Sequence, residues 1–157
     1  MAEIQIVLQR LVCLLEDQQV DFDILTHEPV FTSEQAANVR GASMSSGANA
    51  LICKVDQKFL MFVMPADRRL SGKQVRKQLK ARSLRFANLD EVLEWTELEP
   101  GAIPPFGSLF GLPTYCDQAL ANEPTINFNA GNHARSISMS YTDFLKVERP
   151  TLGSFAK

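Results

Sequence analysis

The stretch from residue 100 to residue 107 has the composition of a loop that could bind an ester carbonyl. It reads Pro-Gly-Ala-Ile-Pro-Pro-Phe-Gly. Gly101 and Gly107 permit positive φ, and each proline fixes its own φ near about −65°. A loop stiffened in this way can turn main-chain N–H groups toward a developing oxyanion, as acyl transfer requires. An ordinary structural loop could have the same composition, so this stretch alone leaves both interpretations open.

A second group of residues is suited to binding nucleic acid. Residues 68–85 hold eight of the 16 lysines and arginines and no acid. Four of them follow the spacing i, i+3, i+4, i+7 and share one face of a predicted helix: Lys73, Arg76, Lys77 and Lys80. These like charges repel one another, and a polyanion would relieve the repulsion and release counterions. No aromatic residue lies among them, so we expect contact with phosphates rather than stacked bases.

Two alternatives to RNA binding by this segment stay open. It could be a solvated face whose charge is balanced by the five acids of residues 90–99. It could also belong to a DNA-binding regulator, although no helix-turn-helix pattern or second recognition element accompanies it.

The cysteines and histidines predict neither a metal site nor a disulfide framework. The three cysteines lie far apart without a CxxC pair, and there are two histidines, His27 and His133. Cys116 precedes Asp117 and could act as a thiol nucleophile, but its apolar setting favours a buried strand cysteine. We therefore expect no metal and no cofactor.

Composition indicates one globular domain over residues 1–157. Apolar residues make up 45% of the 157 residues, charged residues 22%, and the net charge is −2. No stretch reaches the ~18 apolar residues of a membrane span, and polar residues interrupt the apolar start, unlike a signal peptide. The sequence therefore predicts a cytoplasmic protein without membrane contact.

Helices and strands alternate irregularly along the chain, which predicts a mixed α/β domain. The first helix, over 2–19, has Ile4, Val7, Leu8 and Leu11 on its apolar face. Thr32 is the predicted N-cap of a two-turn helix that ends near Gly41. Further helices are predicted over 71–82, 89–95 and 142–147, and strands over 22–26, 50–55, 59–64, 112–116, 125–129 and 135–139, with a fragment at Phe86.

Four stretches in this order resemble the YbaK/prolyl-tRNA synthetase-associated domain family, the free-standing aminoacyl-tRNA deacylases. They are HEPVFTSEQAA (27–37), ALICKVDQKFLMFVMPADRRL (50–70), GAIPPFGSLFGLPTYCD (101–117) and FNAGNHARSISM (128–139). Each piece is weak, but the four together are specific and extend over nearly the whole chain. The resemblance implies a mixed central β-sheet flanked by helices.

The resemblance also implies an activity. Members hydrolyse the ester between a wrong amino acid and tRNA, often alanine or cysteine on tRNA for proline. We therefore expect a trans-editing hydrolase whose partner is the aminoacylated 3′ end of tRNA, with prolyl-tRNA synthetase as a candidate second partner.

The site residues follow from the same resemblance. The family's GxxxP loop matches Gly101 to Pro105, and its glycine-rich turn matches Asn129 to His133. Gly101 and His133 are the implied catalytic positions, although a histidine such as His133, taken alone, is more often an ordinary surface or turn histidine. The implied substrate-binding positions are Thr32, Pro105, Phe106, Gly107 and Gly131.

Asn49 departs from the family pattern, which carries lysine just before the first central strand. Asparagine offers a neutral amide in place of a positive charge. Lys54 lies five residues further along the strand, and an odd offset points its side chain to the opposite face. Asn49 is therefore placed among the catalytic positions with three options left open. The enzyme tolerates asparagine, because backbone donors and the ribose hydroxyl do much of the work; the chain is a catalytically weak module that binds aminoacyl-tRNA or a synthetase; or it is an altered version of an active parent. Asn49 could also be only a turn residue at the start of the strand.

Overall fold

The computed structural model describes residues 2–157, with side chains described from Ile6 onward. Ile4, which the sequence places on the apolar face of the first helix, lies outside the residues whose side chains are described. The helices are α1 (Ala2–Asp17), α2 (Ser33–Arg40), α3 (Gly72–Leu79), α4 (Leu89–Thr96) and α5 (Tyr141–Glu148). The strands are β1 (Phe22–Thr26), β2 (Ala48–Val55), β3 (Lys58–Pro65), β4 (Leu84–Phe86), β5 (Thr114–Asp117), β6 (Thr125–Asn129), β7 (Arg135–Ser140) and β8 (Thr151–Gly153).

The strands form a mixed sheet and a smaller antiparallel sheet. The five-stranded sheet has the order β4-β2-β3-β5-β8, in which β3, β5 and β8 run parallel to one another. The three-stranded sheet has the order β1-β7-β6. The predicted α/β class with a mixed sheet flanked by helices is confirmed. The division into two sheets and the edge strand β8 are features that the sequence analysis did not predict.

Two apolar clusters cover the two faces of the five-stranded sheet. The larger cluster joins this sheet to the smaller sheet and to α1 and α5, and its fully buried members include Leu11, Leu15, Met61, Phe106, Phe128 and Phe144. The smaller cluster packs Val75 of α3 and Phe155 against the opposite face. The strand β2 alternates accordingly, since Ile52 belongs to the first cluster and Cys53 to the second. The sheet is therefore buried on both faces.

Two helices are shorter than the periodicity predicts, because residues with positive φ end them. Gln19, with φ of 57°, follows the end of α1 at Asp17. Lys80, with φ of 54°, is the C-cap of α3. The prediction that Lys80 shares the helical face of Lys73, Arg76 and Lys77 is therefore wrong, although all four side chains are exposed.

The two sheets meet where β2 begins. Gly47, just before β2, forms an isolated parallel bridge with Asn127 of β6. The helix α2 packs beside this junction, with Ala36 and Ala37 buried. Local sequence fixes α2, because Thr32 accepts a hydrogen bond from the N–H of Gln35 and Gly41 ends the helix with φ of 66°. At this junction the start of β2, the helix α2 and the neighbouring turns enclose a cavity.

Among residues 2–157, no helix is long and apolar enough to span a bilayer.

Candidate active site

A cavity of about 230 Å³ opens at the junction of the two sheets. Its walls come from α2 and the residues before it, from the start of β2, from the loop after α4 and from the turn between β6 and β7. Four positions that the sequence analysis proposed line it: Thr32, Asn49, Gly101 and His133. Residues from four separate parts of the chain therefore share one space.

Gly101 lies on the cavity wall in a left-handed conformation with φ of +88°. Its carbonyl accepts a hydrogen bond of 2.7 Å from the side-chain amide of Asn129. The N–H of Ala102 belongs to the same peptide unit and donates instead to Glu99, so this peptide offers no donor to the cavity. Of the described contacts, none occupies the N–H groups of Gly101 and Ile103. Among the N–H groups of this loop, these two are therefore the candidates for binding a ligand.

The other loop positions proposed as substrate contacts do not line the cavity. Pro105 and Phe106 are buried, and the Phe106 ring packs edge-on against Phe128 and Phe144 in the core. The N–H of Gly107 donates to the Thr114 hydroxyl at 3.0 Å. These predictions are wrong because the second half of the loop turns into the apolar core to anchor the first half.

Gly131 also has a structural role in place of the proposed substrate contact. Its N–H donates to the carbonyl of Ala102 at 2.9 Å, and its φ is +95°. The proposed direct contact is therefore wrong, since the residue does not line the cavity. This hydrogen bond instead ties the turn between β6 and β7 to the loop that carries Gly101.

His133 is held between a carboxylate and an aromatic ring. Its Nε2 lies 3.2 Å from Glu99 Oε2, and its ring centroid lies 4.7 Å from that of Phe31. Its Nδ1 is buried and has no hydrogen-bond partner in the described structure. The ring also lies close to Gly101, with Cε1 3.5 Å from the Cβ position there. The two implied catalytic positions are therefore neighbours.

Asn49 is exposed on the wall contributed by β2, where it pairs in register with Met64. Lys54 does not line the cavity, and its Nζ lies 5.7 Å from the centroid of the Phe59 ring. This placement agrees with the expectation that Lys54 does not replace a lysine at position 49.

Arg40, which the sequence analysis missed, brings a positive charge to the cavity. Its Nε donates to the Ser136 hydroxyl and its Nη2 to the Asn129 side chain, each at 2.9 Å. Burial lowers the pKa of Arg40 to about 10, so the guanidinium stays charged at neutral pH. No Asp or Glu is among the described residues that line the cavity. A half-buried charge without an acidic partner is costly, and such groups are concentrated at functional sites.

The guanidinium of Arg40 is also oriented. Two of its nitrogens are held by neutral partners, whereas Nη1 makes no hydrogen bond to a described residue and lies 3.8 Å from the Cβ position at Gly47 on the cavity wall. The side chain of Asn129 also donates a hydrogen bond to the Gly101 carbonyl, so it links Arg40 to the loop. The charge and the loop are therefore positioned by one hydrogen-bond network. No signal in the sequence around Arg40 could have revealed this, because its partners come from distant strands.

Cys116 cannot serve as the nucleophile in this structure. It is fully buried in the larger apolar cluster, and burial raises the pKa of its thiol to about 12. Among the side chains that the structure describes, those of residues 6–157, no group of three or more His, Cys, Asp or Glu is placed to hold a metal ion. Arg40 and Asn49 bring hydrogen-bond donors to the cavity, and Arg40 adds a positive charge.

The basic segment starts close to this cavity. Ala66 lines the cavity, and Arg68 and Arg69 follow it before α3. Lys73, Arg76 and Lys77 project from α3 into solvent.

Comparison with known proteins identifies related sequences. A family model described as an aminoacyl-tRNA editing domain matches residues 27–147. The Multifunctional Ser/Thr-tRNA deacylase ProXp-y of Escherichia coli (strain K12) is 32% identical over 162 residues, covering 100% of this chain and 97% of that protein. A Proline--tRNA ligase of Bacillus licheniformis is 28% identical over 118 residues, which are 73% of this chain and 21% of the ligase.

Solved structures share the fold. The crystal structure of a protein put forward as a trans-editing enzyme for prolyl tRNA synthetase has a TM-score of 0.83 at 21% identity, covering 96% of this chain and 97% of that one. The crystal structure of the hypothetical protein APE2540 also has a TM-score of 0.83, at 19% identity, covering 91% of this chain and 96% of that one. At such identities the likeness concerns the fold alone.

Proposed function

The chain belongs to the family of aminoacyl-tRNA editing domains, and from that premise we propose that it is a trans-editing hydrolase that cleaves the ester of misacylated tRNA. The observation that carries the proposal is the cavity in which Gly101, Asn49, His133 and the Arg40 guanidinium meet. Its volume of about 230 Å³ is below the ~300–1,000 Å³ of pockets for drug-sized ligands. It suits an aminoacyl group rather than a nucleotide. Residues 1–157 form one editing domain in this proposal.

The proposed reaction needs water and a stabilised oxyanion. Water adds to the ester carbonyl carbon, and negative charge develops on the carbonyl oxygen. Arg40 Nη1 and the N–H of Gly101 donate hydrogen bonds to that oxygen, as preorganised donors in an oxyanion site do. The bond between the carbonyl carbon and the ribose oxygen then breaks, and the ribose oxygen takes the proton that the attacking water gives up. The products are a free amino acid and tRNA with a free terminal hydroxyl.

The amino acid removed is expected to carry a small polar side chain. Ser43, Thr32 and Asn127 line the cavity together with Asn49, and hydroxyl and amide groups suit the side chain of serine or threonine. A site built to hydrogen-bond a hydroxyl rejects an analogue without it by up to ~10⁴–10⁵-fold. The E. coli relative is named for serine and threonine. From the sequence we expected the removed amino acid to be alanine or cysteine on tRNA for proline. That stays a prediction, and it is tested alongside the proposal of serine or threonine.

A deacylation panel tests the proposal directly. The chain is incubated with seryl-, threonyl-, alanyl-, cysteinyl- and prolyl-tRNA, each labelled in the amino acid, and release is followed at neutral pH. We expect turnover of seryl- and threonyl-tRNA at least tenfold faster than of prolyl-tRNA. Absence of turnover with every substrate, despite tRNA binding, would reject the hydrolase and support the alternative, a catalytically weak module that binds aminoacyl-tRNA or a synthetase. The neutral Asn49 is the feature that favours this alternative, and the charge of Arg40 opposes it.

The basic face of α3 is proposed to contact the tRNA backbone. Replacing Lys73, Arg76 and Lys77 together with glutamate is expected to weaken tRNA binding at least tenfold, because phosphate contacts are lost and repulsion is added. The slope of log Kd against log salt should fall by about 2, since each phosphate contact contributes ~0.7–0.9 to it. Filter binding between about 50 and 200 mM salt measures both quantities.

A matched variant controls for net charge. Lys58, Lys146 and Arg149 are also exposed, and reversing these three charges changes the net charge equally at positions outside α3. The control is expected to bind tRNA nearly as well as the wild type. Equal weakening by both triple variants would mean that α3 has no specific role.

Prolyl-tRNA synthetase as a partner and a cytoplasmic setting are further parts of the proposal. The similarity to part of a Proline--tRNA ligase supports the first, because it places a related domain within such an enzyme.

A further inference from the structure

Phe31 is exposed at the mouth of the cavity and has no role in the core. Its side chain is 70% exposed, the largest value among the large apolar side chains described as exposed. It lines the cavity on the same side as His133. Single exposed apolar side chains are common, so the observation that matters is the position of Phe31 on the wall of a polar cavity beside His133, rather than its exposure alone.

The backbone holds Phe31 in this position. The N–H of Phe31 donates to Gln35 Oε1 at 2.9 Å, and the N–H of Val30 donates to the carbonyl of His133 at 2.9 Å. Val30 itself is buried, with 6% exposure. The segment is thus fixed at both sides of Phe31. The ring of Phe31 contacts the ring of His133 at an interplanar angle of 39°, and most of the Phe31 surface is exposed to solvent.

The proposed substrate places a base close to this ring. Every tRNA ends in adenosine, and the ester joins the amino acid to a ribose hydroxyl of that nucleotide. The cavity of about 230 Å³ accommodates the aminoacyl group but not the nucleoside as well. The ribose and adenine must therefore lie at the opening of the cavity, because the ester bonds the carbonyl directly to the ribose that carries the adenine.

Charge around the mouth favours a base over a phosphate at Phe31. Glu28 and Glu34 are exposed near Phe31 in the sequence, and the Glu99 side chain, beside His133, is 72% exposed. These carboxylates repel phosphates but not a neutral adenine.

We propose that Phe31, backed by His133, is the stacking platform for the terminal adenine of the aminoacyl-tRNA. This inference rests on the proposed function, since it assumes that the cavity holds the aminoacyl group. Stacking of a base on an aromatic side chain tolerates any base but requires a flat π-face. Phe31 is thus a binding residue for the nucleoside and leaves amino-acid selection to the cavity.

The test measures binding without turnover. Two non-hydrolysable probes carry serine in amide linkage: 3′-deoxy-3′-serylamino-adenosine, and the same seryl-amino sugar with a methoxy group in place of adenine. Calorimetry compares the wild type with Phe31→Ala and Phe31→Trp. Phe86→Ala is the matched control, because Phe86 is 57% exposed on β4 and does not line the cavity.

We expect Phe31→Ala to bind the adenosine probe about tenfold more weakly and the base-free probe unchanged. Phe31→Trp and Phe86→Ala should bind the adenosine probe like the wild type.

The proposal is overturned if the wild type binds both probes equally well. It is also overturned if Phe31→Ala weakens binding of both probes equally, which would mean that Phe31 shapes the cavity. It is also overturned if sedimentation shows self-association that Phe31→Ala abolishes, because Phe31 would then join two copies of the chain. A wild type that prefers the adenosine probe but hydrolyses no aminoacyl-tRNA would reject the proposed hydrolase while retaining the base site.

Discussion

Arg40→Gln is expected to lower kcat for deacylation by about 100-fold with little change in KM. Removing one preorganised donor from an oxyanion site typically costs ~10²–10³-fold in kcat, and Arg40 supplies both a donor and a charge. Glutamine can still hydrogen-bond but carries no charge. Single-turnover deacylation of seryl-tRNA at saturating enzyme measures the chemical step. Arg40→Lys, which keeps the charge, should retain more activity than Arg40→Gln.

Arg40 also joins Ser136 and Asn129, so loss of activity could reflect a disturbed structure. The double variant Arg40→Gln with Asn49→Lys separates these explanations, because position 49 lines the same cavity. We expect lysine there to restore part of the lost rate without restoring the Arg40 hydrogen bonds. If the double variant is no faster than Arg40→Gln while both melt at the wild-type temperature, Arg40 does not act through its charge.

Gly101→Val is expected to reduce kcat/KM for deacylation about 100-fold while lowering stability modestly. Space for a Cβ exists, since its nearest neighbour would be His133 Cε1 at 3.5 Å. The φ of +88° is the obstacle, because L-residues pay ~1–2 kcal/mol in the left-handed region and β-branched residues more. The loop should relax toward negative φ and so change the direction of the Gly101 N–H, the proposed oxyanion donor. Deacylation rates and melting temperatures are measured together.

Gly111→Val is the matched control for this substitution. Gly111 has φ of +75°, its Cβ position has no neighbour within 4 Å, and it does not line the cavity. Both valine variants should lose similar stability, whereas Gly111→Val should keep most of its activity. Parallel losses of activity and stability in the two variants would make Gly101 a merely structural glycine.

Short-range sequence patterns predicted much of the secondary structure. The helix α2 follows from Thr32 and Gly41, and the β2–β3 hairpin follows from two β-rich runs joined by a short polar link. The buried stripe of α1 follows from its spacing, with Leu11 and Leu15 fully buried. These features depend on neighbours within a few residues. Lys80 was placed wrongly because periodicity does not show where a helix stops.

The candidate site could be predicted in part. Family motifs indicated Asn49, Gly101 and His133, and the structure places all three on one cavity. The same motifs also suggested Phe106 and Gly107, which lie in the core, because a motif does not distinguish a residue that contacts a ligand from one that holds the loop.

The family, the main helices and strands, and the basic residues of α3 could be predicted from patterns among near neighbours in the sequence. The positive charge that Arg40 brings to the cavity and the position of Phe31 at the cavity opening depend on how the chain packs. Arg40 bonds to residues 89 and 96 positions away, and Phe31 packs on His133 in a distant turn. The physical reason is that helix caps and hydrophobic periodicity act between near neighbours. A side chain's burial and hydrogen-bond partners arise only when distant strands pack together.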